Sequence, residues 1–511
     1  MSDFVPTISA PLDISDPDLI RRIAEYATAR GFQKNMRVMG DKPLHEVDRG
    51  GLVADLADRA TPPNSSVACL ARCFVLDVPT AEASMREHLG NDFVDACLDI
   101  GLFERRGEMV LGAICILPGD VYTNFCDHRR PAENDGLEQF VMGPALSTKR
   151  LIGSLPKRNC RRFLDLCSGS AAAAFSAAPR AEDAVAADYN ERALNLARFG
   201  AAWNGLRNID VRFTDRFSAV ANETFDLIAC NPPFAINPDV GIMFLSGRMR
   251  GDGFCEQIFR GIPAHLNEGG FAHVLCDVAR TTEQSPLERF SEWVAGAGCD
   301  ALLIADQPKA PREYAESWLG PIAQIDAQRY KDERTRWIQF YSDSGFLAFQ
   351  HYMAVLRKRT PRAGDSPNWV HTTDRLALQD NFGHHILRLF ANEDLIRQGD
   401  SALLASRLKL APDAALEVHF QPGDRAWNPT DSSLRLTGGI DQQANVPHAL
   451  GLAVAELDGT MTVTEFIDSF ATQIEGGDPP AVQKAVLQAV TQMLRFGFLA
   501  PVEFFAAEGA A

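Results

Sequence analysis

Between Gly136 and Arg359 the chain alternates between short apolar runs and longer stretches in which apolar residues return every three or four positions. The runs "RFLDLC", "AVAAD", "VRFT", "FDLIAC", "FAHVLCD" and "ALLIAD" predict strands, and the amphipathic stretches between them predict helices. The clearest helix is "NERALNLARFGAAWNG", Asn190–Gly205, with Asn190 as its N-cap. A late hairpin is expected through "WIQFY" and "FQHYMAVLRK". Strand and helix in turn imply an α/β fold, a parallel sheet with helices on both faces. Ligands on such sheets bind at the carboxyl ends of the strands, so function is to be sought there.

The flanks follow other patterns. From Asp16 to about Arg130, "SSVACLARCFVL", "AEASMREHLG" and "NDFVDACLDIGLFE" predict short amphipathic helices, and "EMVLGAICILPGDVYTNF" alternates like a strand pair. Three helices followed by a hairpin is the order of a winged helix. After Thr360, "PRAGDSPN" reads as a linker. Asp374–Leu410 gives no clear pattern, but "TVTE" (Thr462–Glu465) is a capping box, and "PPAVQKAVLQAVTQMLRFGFLAPVEFF" predicts a helix stopped near Gly497. Its close echoes "LDIGLFERRGEMVL" of the first region, and a second winged-helix-like unit is expected. Three regions result: residues 1–135, 136–360 and 361–511.

Composition narrows the class. A chain of 511 residues is long enough for several cores, and 46% hydrophobic with 23% charged residues describes a globular protein. No apolar run reaches the roughly 18–20 residues that span a bilayer, and the start lacks the basic and apolar regions of a secretion signal. The expected location is cytoplasmic, with no membrane partner. The net charge of −17 disfavours a partner held by its phosphates. "LPKRNCRR" and "RYKDERTRW" are the basic exceptions and read as solvated faces. Eleven Cys without paired spacing, several inside apolar strands, read as reduced buried thiols. Cys69, Cys73, Cys126 and His128 come closest to a ligand set and also read as core; no metal is expected.

The strand ends carry the chemistry. The first closes with Asp165 and turns through Cys167, Ser168 and Gly169 in "FLDLCSGSAAAAF". The pyrophosphate fingerprint G-x-G-x-x-G is absent, so one Gly beneath an acidic side chain suits a cationic ligand without phosphate. The second strand ends at Asp188, placed to accept from both hydroxyls of a ribose, with Tyr189 next to it. The third ends at Asp215, which can accept from an adenine amino group while Phe217 or Tyr189 lies against the ring. Any one of these carboxylates could be a surface charge or a cap; three at consecutive strand ends form a pattern. The fourth strand runs into "LIACNPPFAIN", where Asn231 precedes Pro232, Pro233 and Phe234. Two prolines fix a stiff backbone that lacks N–H groups, and Asn231 adds a side-chain carbonyl to the same rim.

"DLCSGS" with Asp188, Asp215 and "NPPF" resembles the class I S-adenosylmethionine-dependent methyltransferases, in the branch that carries Asn-Pro-Pro-Tyr or Asn-Pro-Pro-Phe after the fourth strand. Within it the segment from about Gly143 to Arg359 looks closest to release-factor glutamine methyltransferases and small-domain RNA guanine methyltransferases. The resemblance implies a seven-stranded Rossmann-like domain and S-adenosyl-L-methionine as cofactor. Asp165, Cys167, Ser168 and Gly169 would hold its methionine end, Asp188 its ribose, and Asp215 with Phe217 or Tyr189 its adenine. Asn231 would border both cofactor and acceptor, and with Pro232, Pro233 and Phe234 would orient the acceptor. Cys167 and Ala171 depart from the family, standing where Gly is common, and a shifted or weaker cofactor grip is expected. The implied activity is N-methylation of a planar amide or amine on a protein, peptide or small molecule. The alternatives are a biosynthetic O-methyltransferase, an RNA base N-methyltransferase, and a non-catalytic cofactor-binding winged-helix protein. A homodimer through the winged-helix regions is also expected.

Overall fold

The computed structural model describes residues 9–34, 63–119, 121–128, 139–239, 249, 251–323, 326–361, 366–374, 382–423, 426–474 and 478–508. Residues 362–365 of the expected linker lie outside that set. The chain forms two compact units. One comprises Met1–Leu151, Cys160–Thr360 and Trp369–Thr373, the other Ile152–Asn159, Pro361–Asn368 and Asp374–Ala511.

The first unit begins with helix α1 (Pro17–Ala29), then α2 (Ser66–Phe74), β1 (Thr80–Ala81), α3 (Glu82–Leu89), α4 (Asn91–Asp99), β2 (Phe103–Arg106) and β3 (Met109–Gly112). The last two form a hairpin, and the sheet order is β1-β3-β2. The helix expected through "NDFVDACLDIGLFE" stops earlier: α4 ends at Asp99 and the chain turns at Gly101 with φ 73, a backbone that ends a helix, and Phe103 and Glu104 open a strand. The strand pair expected in "EMVLGAICILPGDVYTNF" forms as β4 (Cys115–Pro118) and β5 (Thr123–Cys126), a ribbon separate from β2 and β3.

The sheet that carries the site follows: β6 (Cys160–Leu166), α5 (Ala172–Ala177), β7 (Ala181–Asp188), α6 (Glu191–Trp203), β8 (Ile209–Phe213), β9 (Phe225–Cys230), α7 (Gly253–Gly261), β10 (Leu266–Thr281), α8 (Pro286–Trp293), β11 (Cys299–Ala305), α9 (Pro311–Ala323), α10 (Ala327–Asp343), β12 (Phe346–Lys358) and β13 (Val370–Asp374). The order across it is β13-β11-β12-β10-β9-β6-β7-β8. β8, β7, β6, β9 and β10 run parallel, and β12 is antiparallel to β10 and β11. The sheet therefore has eight strands where seven were expected, because β13 adds outside β11. A second correction concerns "WIQFY", expected as a strand. It lies in α10, where Trp337 and Tyr341, four residues apart, bury their rings against Phe349 and Tyr314. A short apolar run fits either period, and here the one-turn spacing of the two rings decides.

α6 ties the sheet to the segments before it. Asn190 caps the helix by accepting from Arg192 and Ala193. Arg192 Nε donates to Asp127 at 2.8 Å, both side chains being buried, and Asn195 exchanges two hydrogen bonds with the Leu12 backbone. Phe125, Phe199 and Trp203 pack edge to face at this junction, and Gly200 has no room for a Cβ, which would fall 2.6 Å from Phe175. The start of α6, and with it Asp188, is thus held from two sides.

The second unit contains α11 (Gly383–Ile396), α12 (Asp400–Ala405), β14 (Arg407–Leu410), β15 (Ala414–Pro422), β16 (Trp427–Leu436), β17 (Gln443–Asn445), α13 (His448–Ala453), β18 (Asp458–Thr462), α14 (Val463–Thr472), α15 (Pro479–Arg495) and β19 (Leu499–Pro501). Its sheets are ordered β18-β14-β19 and β15-β16-β17. The capping box forms as read, with Thr462 and Glu465 exchanging bonds at the start of α14, and α15 ends before Gly497 with φ 78. Buried His385 accepts from the Ile440 N–H at 2.9 Å and donates to the Phe496 carbonyl.

Candidate active site

The first turn of the site is built from left-handed residues. After β6 the backbone has φ 56 at Cys167, 53 at Gly169 and 69 at Ala171. Only Gly takes this region without strain, so the two departures from glycine each hold a residue where about 1–2 kcal/mol opposes it. A Cβ at Gly169 would meet no atom within 4 Å. Asp165 is buried and accepts from the Ala174 N–H at 2.9 Å. Burial, with a smaller contribution from Asp188, pushes its carboxyl up to about 8. Asp188 accepts from the Gly169 N–H and the Asn190 N–H, each at 2.8 Å, and burial raises its carboxyl as well. A carboxylate has about four lone-pair sites, so both oxygens retain capacity. Asp188 thus braces the glycine turn and leaves capping of α6 to Asn190.

At the end of β8 the expected residues separate. Asp215 is exposed, 3.3 Å from the guanidinium of Arg216, itself at φ 54. Phe217 turns inward, stacked on His265 with ring centroids 4.5 Å apart and planes 4° from parallel, and fills the space beside Gly261. Tyr189 stays at the rim, 39% exposed and tilted against Phe213. Of the two rings read from the sequence, Tyr189 is the more exposed.

β9 ends at Cys230, paired with Val274 of β10 and Leu166 of β6. Asn231 follows at that carboxyl edge, its Oδ1 buried with no hydrogen-bond partner among the described residues. A buried acceptor left unmade costs about 1–3 kcal/mol, so such an atom marks a place meant for another donor. Pro232 is buried and Phe234 packs on Trp318 and on His351, with centroids 5.9 and 5.2 Å away. The backbone beyond is clamped: the Ile236 N–H donates to Tyr314 Oη at 3.0 Å, and Tyr341 Oη donates to the Ile236 carbonyl at 2.8 Å. Tyr314 in turn donates to Asp277, whose other oxygen accepts from His351 Nδ1 at 2.6 Å. None of Asp277, Tyr314 and Tyr341 was singled out from the sequence. Asp277 ends the apolar run "FAHVLCD" and could have been found as a fourth carboxylate after such a run, although β10 itself continues to Thr281; His351 carries no local signal.

Residues 145–280 match the family described as Methyltransferase small domain. This segment is a methyltransferase domain. S-adenosylmethionine is its cofactor, and the donor set fits that ligand: acidic side chains at consecutive strand ends, space above Gly169, and an unmade acceptor at Asn231. The chain is similar to release factor glutamine methyltransferase of Xylella fastidiosa, 33% identical over 126 residues, which are 22% of this chain and 45% of that one. The Escherichia coli protein of the same name is 33% identical over 93 residues, 18% of this chain and 33% of the relative. Ribosomal protein uL3 glutamine methyltransferase of Xanthomonas campestris is 29% identical over 138 residues, 25% of this chain and 44% of that one. The chain thus spans less than half the length of these relatives. Residues 388–501, outside the methyltransferase domain, match a domain of unknown function (DUF7782).

Proposed function

We propose that this chain is an S-adenosylmethionine-dependent N-methyltransferase acting on a planar amide or amine, foremost an amide on a protein or peptide side chain. On this reading Asp165, Cys167, Ser168 and Gly169 hold the methionine end of the cofactor, Asp188 the ribose, Asp215 the adenine amino group and Tyr189 the adenine ring. Phe217 supports the adenine side from within the core. The cofactor supplies an electrophilic methyl on a sulfonium, a leaving group that needs no acid.

The observation that carries the reading is the buried, partnerless Oδ1 of Asn231. An acceptor –NH₂ donating one hydrogen to that oxygen and the other to the Pro232 carbonyl has its nitrogen lone pair left for the methyl carbon. Pro232 and Pro233 keep the rim rigid, and the Tyr314 and Tyr341 clamps on Ile236 fix its far end. Phe234 offers a ring face to a flat acceptor. Catalysis by orientation of this kind supplies about 7–11 kcal/mol at most. The similar proteins named for glutamine support an amide, and the charge of −17 supports an acceptor other than RNA. Each basic stretch has arginines paired with acids, Arg162 with Glu223 and Arg334 with Glu316, which supports the same choice. Regions 1–135 and 361–511 are then winged-helix-like modules that select the acceptor or join two copies of the chain, and region 136–360 is catalytic.

The test is transfer of labelled methyl from S-adenosylmethionine to total cell extract by the purified chain. Asn231→Ala is expected to lower transfer by at least about a hundredfold while calorimetry finds its cofactor affinity nearly unchanged. Undiminished turnover in that variant overturns the orientation role. Hydrolysis of the product to methylamine identifies nitrogen as the acceptor, and release of methanol identifies oxygen.

A further inference from the structure

Beside the acceptor rim lies a pair of titratable groups to which methyl transfer by orientation alone gives no task. Asp277 and His351 are a cross-strand pair on the antiparallel strands β10 and β12. Asp277 sits three residues beyond Val274, the partner of Cys230, and so past the same strand ends as Asn231. The Asp277 side chain is 3% exposed and that of His351 20%. His351 presents its ring to Phe234, the last residue of the motif, at 5.2 Å between centroids.

The hydrogen bonds fix the tautomer. A carboxylate only accepts, so at 2.6 Å the His351 Nδ1 must carry its proton toward Asp277. Tyr314 donates to the other Asp277 oxygen, which keeps the carboxylate from rotating away. A neutral imidazole bound in this way has its lone pair on Nε2, and Nε2 makes no hydrogen bond among the described residues. The other titratable and charged groups around the pair are Tyr341, Cys255 and Cys276 near Asp277, Asp252 with its partner Arg289 beyond those thiols, and the Asp306–Arg150 pair at the end of β11, whose Asp306 N–H donates to the His351 carbonyl.

We propose that His351, oriented by Asp277, takes up the proton that the acceptor nitrogen loses on methylation; this inference rests on the N-methyltransferase reading above. In the transfer a nitrogen–carbon bond forms, the carbon–sulfur bond breaks with its electrons going to sulfur, and the nitrogen sheds one hydrogen as a proton. Of the two hydrogens held at Asn231 Oδ1 and the Pro232 carbonyl, the methylated nitrogen gives up one, which leaves that oxygen, passes to His351 Nε2 and goes from its part-exposed ring to water. Phe234, Trp318 and His351 then line one wall of the acceptor site, two rings for a flat group and one for its proton.

Two measurements on the full chain test this. In protein carrying ¹⁵N-labelled histidine, the cofactor-free His351 ring is expected to show a protonated Nδ1 and a bare Nε2; the opposite tautomer overturns the proposal. In the extract assay, His351→Gln is expected to lose at least about a hundredfold in kcat. It should also lose the acid limb of the pH profile, with cofactor affinity and thermal midpoint retained, and Asp277→Asn should reproduce the profile change. If His351→Gln fails to fold, His351→Asn is used with the same readouts. Wild-type transfer that survives either substitution with an unchanged pH profile overturns the proton role and leaves the N-methyltransferase reading standing. No transfer by the wild-type protein overturns both.

Discussion

Asp165 is a carboxyl group among apolar neighbours, and that setting alters its chemistry. With burial pushing it up to about 8, it holds its proton at neutral pH in the cofactor-free protein. A cation placed against it favours the ionised form. Binding of S-adenosylmethionine near pH 7 is therefore expected to release a proton, and affinity to climb as pH rises toward about 8. Calorimetry in buffers of different ionisation enthalpy reads both, and Asp165→Asn should remove both. For folding, the unfolded chain ionises this group above 3.8 while the folded one keeps the proton to about 8, so its contribution to stability falls as pH rises across that interval. Gly169 gives a companion prediction. At φ 53 with open space beyond its Cα, Gly169→Ala should cost about 1–2 kcal/mol of stability and weaken cofactor binding at least about tenfold, read by denaturation and calorimetry. The residues themselves were legible because each followed an apolar run. The inward turn of Phe217 was not, since it depends on His265, 48 positions away in the chain, presenting a flat ring to it.

At the level of elements, parallel strands buried on both faces gave continuous apolar runs and were readable; α10 and β2 were not. "WIQFY" and "FERR" are each too short for periodicity to decide, and their partners, Phe349 in one case and β3 in the other, lie elsewhere in the chain. The same helices make the clamp on the acceptor loop. Tyr314 from α9 joins the Ile236 N–H to Asp277, so Tyr314→Phe leaves a buried N–H and one carboxylate oxygen unpaired. We expect a loss of about 1–3 kcal/mol in chemical denaturation. In the second unit, burial lowers His385 to about 3 from 6.5. The unfolded chain takes up a proton as pH falls below 6.5 while the folded one stays neutral. The stability of that unit should therefore decline progressively between those values, and a pH series of thermal midpoints should show the decline blunted in His385→Gln.

At the scale of the whole molecule, the charge of −17 and the ion-paired arginines predict that the methyl label enters the fraction destroyed by protease and survives nuclease. Among the described residues no helix is long and apolar enough to cross a membrane. Alternating strands and helices, three acidic strand ends and "NPPF" were enough to carry the resemblance to methyltransferases and the cofactor it implies, because such features are local: a strand, its turn and its terminal side chain are neighbours in the chain. Tertiary structure alone decided the eighth strand, the closed loop behind the motif and the Asp277–His351 pair. These join residues as far apart as 105 positions along the chain, Ile236 and Tyr341, and the Asp277–His351 bond, across 74 positions, exists only once β10 and β12 have paired in register.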